Sequence, residues 1–328
     1  MSVARWQSTA AKYIGQVPLF GRDDGVTVRE PLDEGPGWWA GAPSVLFDDE
    51  SRRFYLYYRL RKPAELGRGV GCRIAQSEDG IEFEDIWEVG KEDLDSPSVE
   101  RSCLFKAPDG SWRLYISYVD PGTNRWRIDC IEAETPGAFD PAERKRVFLA
   151  EELDLEGIKD PIVYRIGPMY YMIVSYAPSS APEASEEDKH GTADVYNTGI
   201  VKSHTGLATS GCGLEWHWQG DILSPPDEGW DQYCTRIGSI LHTSAGFVGF
   251  YDGSASVEEN YEERAGLCVS QDLRNWERVT REGPWVESPF GCIRYIEAVP
   301  MADALYYYYE WTRADGSHEL RVTRVEFS

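Results

Sequence analysis

Three carboxylates stand in stretches of sequence where an ionised side chain is costly. Glu297 lies between Ile296 and Ala298 in the run RYIEAVP, and a carboxylate there must be paired or have its ionisation shifted, which is the condition of a general acid. Asp160 directly precedes Pro161, which restricts it to extended backbone and fixes where its side chain points. Glu100 is followed by Arg101, and neighbours on a strand face opposite ways, so only one of the two is expected to reach a common site. Cations accompany these acids: Lys159 precedes Asp160, Arg294 precedes Glu297, and Arg236 opens another apolar run. A guanidinium grips a carboxylate, sulfate or phosphate bidentately, or it neutralises the protein's own acids; the sequence leaves both readings open. The segment YDGSASVEENYEER supplies Asp252 and Asn260, whose oxygens would also suit a structural Ca²⁺.

Other chemistries drop out. The seven cysteines stand singly without a C-x-x-C pair, and the five histidines show neither HExxH nor H-x-H spacing, so no disulfide framework and no cysteine- or histidine-bound metal site is expected. No Walker A loop, dinucleotide fingerprint, nucleophile elbow or pyridoxal signature is present, so no cofactor is expected. With 33 basic and 56 acidic side chains the net charge is −23, which repels phosphate backbones and anionic lipid and argues against nucleic-acid and membrane partners. The opening MSVARWQSTAAKYIG lacks the apolar stretch of a signal peptide, and a cytoplasmic location is expected. The oligomeric state stays open.

The elements that must hold these residues are strands. Aromatic residues make up 13% of the 328, with 19 Tyr and 12 Trp, and the long runs are β-branched or aromatic, bounded by Gly, Pro and Asp. A unit recurs: GAPSVLFDDESRRFYLYYRL, ERSCLFKAPDGSWRLYISYV, KDPIVYRIGPMYYMIVSYA, RIGSILHTSAGFVGFYDG and IEAVPMADALYYYYEW. Aligning the turns sets Pro43, Cys103, Pro161, Gly238 and Ala298 in register, at spacings of 60, 58, 77 and 60. Each hairpin is followed by a second pair of strands, giving four strands per unit and five units. Radial repetition of four-stranded sheets hides the sheet edges of an all-β chain, so the expected fold is all-β, a five-bladed β-propeller of four antiparallel strands per blade. A single domain, 1–328, is expected, with blades at about 38–90, 98–150, 157–222, 231–284 and 292–328, the last completed by the N-terminal GVTVREPL. The one long interruption, 175–197, is rich in Pro, Ser, Ala and acids and reads as a mobile loop, either a lid or a passive insertion.

KDPIVYRIGPMYYMI, SEDGIEFEDI and SQDLRNWERV resemble the hairpins and following strands of the five-bladed propeller glycosidases, broadly glycoside hydrolase families 43, 32, 68, 117 and 130. The resemblance covers nearly the whole chain at blade level. It implies an active site in the central funnel, built from the starts of the innermost strands, with two Asp and one Glu as base or nucleophile, stabiliser and general acid. The chemistry requires one carboxyl protonated and another ionised beside an oxocarbenium-like centre. Carried onto this chain, the slots are Ala42, Ser102 flanked by Glu100 and Arg101, Asp160, Ile237 and Glu297. Ala42 departs from the family's first-blade Asp, which puts hydrolysis itself in question.

The resemblance therefore implies catalytic Asp160, Glu297 and Glu100, and substrate binding by Arg101, Lys159, Arg236 and Arg294, with Trp38, Trp39, Asp231 and Asp252 at the rim, where aromatic faces stack on sugar rings. The ligand would be a small glycoside or oligosaccharide. Two alternatives remain: a propeller that binds a carbohydrate or metabolite without hydrolysing it, or a repurposed phosphorylase, lyase or isomerase with a cationic funnel.

Overall fold

Residues 13–15, 17–179 and 184–327 are described in the computed structural model. The β-branched and aromatic runs form strands, and each of the five units folds into an antiparallel sheet. Blade one comprises Trp39–Asp48, Arg53–Arg61, Gly69–Ser77 and Glu84–Gly90. Blade two comprises Cys103–Lys106, Trp112–Val119, Trp126–Ala133 and Lys145–Phe148. Blade three is built from Leu155–Ile166, Met169–Pro178, His204–Ser210 and His217–Leu223. Blade four follows with Cys234–Thr243, Gly246–Ser254, Arg264–Ser270 and Trp276–Arg278. Blade five has only three consecutive strands, Ile293–Pro300, Ala304–Thr312 and His318–Glu326. Its fourth is Val26–Arg29, which pairs antiparallel with His318–Glu326, as the N-terminal GVTVREPL was expected to do.

The core is a ring of wedges between neighbouring blades. Tyr57, Ile74, Leu114 and Ile116 pack blade one on blade two; Tyr115, Ile128, Met172 and Val174 pack two on three. Ile173, Leu207, Ile237 and Tyr251 join three to four, and Phe250, Leu267, Tyr307 and Trp311 join four to five. Leu56, Tyr58, Tyr308 and Leu320 close the circle between five and one. Large rings suit these wedges because one side chain spans the gap between sheets packed about 10 Å apart.

The S-x-D turns join third to fourth strands. Asp79 Oδ1 accepts from the backbone N–H groups of Ile81 (2.8 Å) and Glu82 (2.9 Å), and Asp272 Oδ1 repeats this with Arg274 (2.9 Å) and Asn275 (2.8 Å). These motifs are turn chemistry on the outer side of the blades, away from the axis.

Candidate active site

The innermost strands carry one extra residue at the same depth in all five blades. In blade one Ala42 and Pro43 fall in the register break of the hairpin, in blade three Asp160 and Pro161, and in blade five Tyr295 and Ile296. The first residue of each pair is left-handed, with φ of 54°, 55° and 54°. In blade four the break holds Gly238 after Ile237, and in blade two Arg101 and Ser102 occupy the corresponding place between the Val99–Tyr118 and Cys103–Tyr115 pairings. A bulge re-aims the side chain that carries it, so Ala42, Arg101, Asp160, Ile237 and Tyr295 are the equivalent positions. This corrects the register inferred from the turns in two blades: Arg101 takes the place assigned to Ser102, and Tyr295 that assigned to Glu297. Glu297 lies one layer further along the axis. Asp160 is also not extended as the following proline implied; the proline disfavours the right-handed helical region, and the bulge selects the left-handed one.

The residue before each bulge builds a charged ring. These are Gly41, Glu100, Lys159, Arg236 and Arg294, and their cross-strand neighbours Arg59, Asp252 and Glu310 face them in blades one, four and five. Glu100 accepts from Arg59 Nε at 2.6 Å and from Arg61. Glu310 accepts from Arg294 Nη2 (2.6 Å), Arg59 Nη2 (3.1 Å), His318 Nδ1 (2.7 Å) and the Ala42 N–H (3.1 Å). Arg236 donates through Nε to Asp252 Oδ2 at 3.0 Å and through Nη1 to Asp160 Oδ2 at 3.4 Å, and Arg294 holds Glu263. All of these side chains are buried. Blade one has glycine in the ring because a Cβ on Gly41 would stand 2.0 Å from Glu310 Oε2. Arg236 also lies over the Tyr295 ring, 4.0 Å from its centroid.

These contacts divide the acids into two kinds. Burial disfavours ionised Glu100, but the guanidiniums of Arg59 and Arg61 outweigh it and hold the carboxyl well below its ordinary value. Glu310 and Glu263 are likewise lowered, burial being overcome by Arg294 with Arg59 in one case and Arg236 in the other. Asp160 goes the opposite way: burial raises it despite Lys159 and Arg236. Asp252 is pushed up to about 6 by burial, against Arg236. The ring therefore holds carboxyls shifted in opposite directions side by side.

Asp160 Oδ1, Arg59 Nη1, Arg61 Nε, Trp39 Nε1 and Arg236 Nη2 have no hydrogen-bond partner among the described residues, although Arg236 Nη2 lies 2.9 Å from Asp252 Oδ2 in an ion pair. Arg59, Arg61 and Trp39 share a neighbourhood, since Arg59 and Arg61 both bind Glu100 and both stand 5.6 Å from the centroid of the Trp39 ring.

No protein-family model matches the chain, and no curated protein matches it significantly in sequence. Its structure is similar to solved ones. A thermostable family-43 glycoside hydrolase aligns with a TM-score of 0.67 at 13% identity, over 92% of this chain and 93% of that one. A glycosyl hydrolase from Bacteroides ovatus gives 0.61 at 14% identity, over 93% and 92%. A structure from the GH130 family of mannoside phosphorylases, described as containing glycoside hydrolases that target β-1,2 mannosidic linkages in Candida mannan, gives 0.60 at 15% identity, over 98% and 95%. The fold is that of the five-bladed propeller glycosidases.

Within this propeller the expected site residues separate into three groups. Glu100, Lys159, Asp160, Arg236, Asp252, Arg294 and Trp39 do meet around the ring. Arg101 and Glu297 lie across the axis beyond it: Arg101 Nε donates to the Pro43 carbonyl at 2.8 Å, and its other nitrogens reach the Gly238 carbonyl and Glu297. Glu100 and Arg101 therefore both face the channel, at different depths, because the bulge breaks the strand alternation between them. Asp231 is a correction: it turns into blade four, accepting from Arg278 Nε (2.7 Å) and the Tyr251 hydroxyl (2.9 Å) between the second and fourth strands. Trp38 is half-buried, and its carbonyl accepts from the His318 N–H at 2.9 Å. The oxygens of Asp252 expected to suit Ca²⁺ meet Arg236 and the Tyr295 N–H (2.9 Å) instead.

The insertion of blade three forms a packed cap over the ring in its described part. Asp194 is its central contact, accepting from Tyr261 Oη (2.7 Å) and Trp126 Nε1 (3.0 Å) and pairing with Arg68, so that it ties blade three to blades one, two and four. Val195, Tyr196 and Val201 pack with Val119 and Trp126 beneath it.

Sequence reasoning passed over Arg59, Arg61, Glu310 and His318, and read Glu263 as lying outside the funnel in a solvated loop, whereas it is buried against Arg294. Arg59 and Glu310 sit in YYRLR and YYYYEWT, charges embedded in apolar strands, and the argument applied to Glu297 would have found them. His318 bridges Glu310 and Glu262, the latter at 2.9 Å from Nε2, and these acids with Cys292 raise its pKa well above the usual value although burial opposes the charge. Glu262, Cys292 and His318 bring their ligand atoms within 4.8 Å of one another, a metal-ligand grouping that their sequence spacing conceals.

Proposed function

We propose that the protein is a glycosidase-like enzyme acting on a small glycoside or oligosaccharide in the charged ring beneath the cap. The observation that carries this is Asp160, a carboxyl whose pKa burial raises and whose Oδ1 has no partner, beside Glu100, whose carboxyl Arg59 and Arg61 hold ionised. Cleavage of a glycosidic bond uses such a pair: a carboxylic acid protonates the leaving oxygen while negative charge stabilises the oxocarbenium-like centre. In this reading Asp160 is the acid, Glu100 supplies the negative charge, and Arg59, Arg61 and Trp39 use their unpartnered N–H groups to fix substrate hydroxyls. Lys159, Arg236 and Arg294 hold the acids in place. Glu297 has no role at this ring, since Arg101 lies between.

A second reading has its own support. Of the five bulge positions only Asp160 bears a carboxylate, and Glu100, Glu263 and Glu310 are each held by guanidinium, which weakens them as bases or nucleophiles. These features favour a propeller that binds a carbohydrate without hydrolysing it.

The test is a panel of nitrophenyl glycosides and natural oligosaccharides, with and without phosphate, on wild type and Asp160→Asn; asparagine tolerates the left-handed backbone at this position. Turnover by wild type, lost at least 100-fold in the variant, supports the enzyme. Turnover only with phosphate moves the reaction to phosphorolysis. Calorimetric binding of an oligosaccharide with no turnover establishes the second reading.

A further inference from the structure

The channel does not run open through the molecule. Arg101 crosses it, reaching from blade two to carbonyls of blades one and four and to Glu297 of blade five. Beyond this plug, on the side away from the cap, lies a cavity of about 950 Å³ bordered by all five inner strands, with Val45, Leu104, Val163, Leu241 and Val299 among its walls. This is within the range of roughly 300–1,000 Å³ that small-molecule sites occupy.

Its walls also carry charge: Asp49, Arg52 and Lys106 line it, with Arg52 paired to Asp49 and Lys106 to Asp48 and Glu50. At the end next to Arg101 lies Glu297, with the Ser44 hydroxyl and the Tyr164 ring also on the wall. Tyr164 Oη accepts from the Ile240 N–H at 2.7 Å. At pH 8, above the value of about 7 to which burial raises it, Glu297 is ionised and its charge is met by Arg101, so this end of the cavity is a neutral ion pair. A charged ligand head would find no counter-charge there and would lose its hydration. A hydroxyl donates to the carboxylate at little cost, and an apolar body gains by leaving water for the walls.

We propose that this cavity is a second binding site, separate from the charged ring, for a small neutral apolar molecule carrying one hydroxyl group that bonds to Glu297. The ligand class is that of medium-chain alcohols and alkyl-substituted phenols. The inference does not depend on any glycosidase activity.

The test uses the full chain at pH 8, where Glu297 is ionised, and the neutral fluorescent probe N-phenyl-1-naphthylamine. Saturable binding of one probe per chain is expected, with displacement by 1-decanol at a concentration at least tenfold below that needed for decanoate or decylamine. Thr243→Trp and Ala302→Trp fill the cavity from its rim, where Thr243 is half-buried and Ala302 exposed, and each is expected to weaken the probe at least tenfold without changing the circular dichroism spectrum. Absence of saturable binding, equal displacement by the three head groups, or unchanged affinity in both correctly folded variants would overturn the proposal. The head-group series is read on wild type, so a variant that fails to fold leaves the outcome decidable. Glycoside turnover is read at the opposite mouth, so a failure here is distinguishable from a failure of the enzyme reading.

Discussion

Glu310→Gln tests whether the ring is held by its charges. The carboxylate receives two bonds from Arg294, one from Arg59 and one from His318, and none of these groups has more than 1% of its side chain exposed. Glutamine keeps the shape, removes the negative charge and turns an N–H₂ donor toward two guanidiniums. Removing one member of a buried charge set costs about 3–5 kcal/mol, because the remaining charges stay desolvated. With a urea slope of about 3 kcal/mol/M for a chain of this size, the unfolding midpoint should fall by roughly 1–1.7 M. The assay is equilibrium urea unfolding at pH 7 followed by tryptophan fluorescence, with far-ultraviolet circular dichroism as a second probe of the same transition. Adding Arg294→Met should recover part of the loss, since one orphaned cation is then removed, and the double-mutant cycle isolates that coupling. A midpoint within about 0.3 M of wild type for Glu310→Gln would refute the reasoning, and would mean that water reaches the ring and screens it.

Two further outcomes follow from other residues. Folded Glu297 keeps its proton up to about pH 7 against an ordinary value of 4.5, owing to burial only partly offset by Arg101; the native state therefore binds more protons than the unfolded chain between those values, and stability contributed by this group falls as pH rises. Glu297→Gln should flatten that part of the profile, read as urea midpoints at pH 5.0 and 7.5, and an unchanged slope would show that Glu297 titrates normally. Gly41→Ala should cost about 1–3 kcal/mol through the clash with Glu310, seen as a lowered thermal midpoint; an unaffected protein would mean that the Glu310 carboxylate can move aside.

Much of the architecture could be read before any coordinates, because a propeller repeats its signals. The aromatic hairpins, the S-x-D turns and the N-terminal strand were each recognisable from residue type and spacing. Registration at the axis was not. The bulge adds one residue to the inner strand without any mark in the sequence, so counting back from the hairpin turns placed Glu297 beside Asp160 when Tyr295 belongs there. The same hidden residue lets Glu100 and Arg101 both face the channel, which simple alternation forbids. Asp231 failed for another reason: it was placed at a sugar-binding rim, whereas Arg278, 47 residues away in sequence, claims its carboxylate. Such partners are set by tertiary pairing and leave no local trace.

The strand Val26–Arg29 has a consequence for how the chain reaches this state. Leu320 pairs with Arg29, which lies nearly the whole chain away. During synthesis blades one to four can assemble in order, each covering the apolar side of its predecessor, but blade one keeps an unpartnered face until Ala304–Thr312 and His318–Glu326 emerge. Leu56 and Tyr58 wait for Tyr308 and Leu320 through that interval. Ring closure is a late and slow step, governed by the entropy of bringing distant segments together, and it is the stage at which an open, sticky blade edge is available to chaperones or to a second unfinished chain.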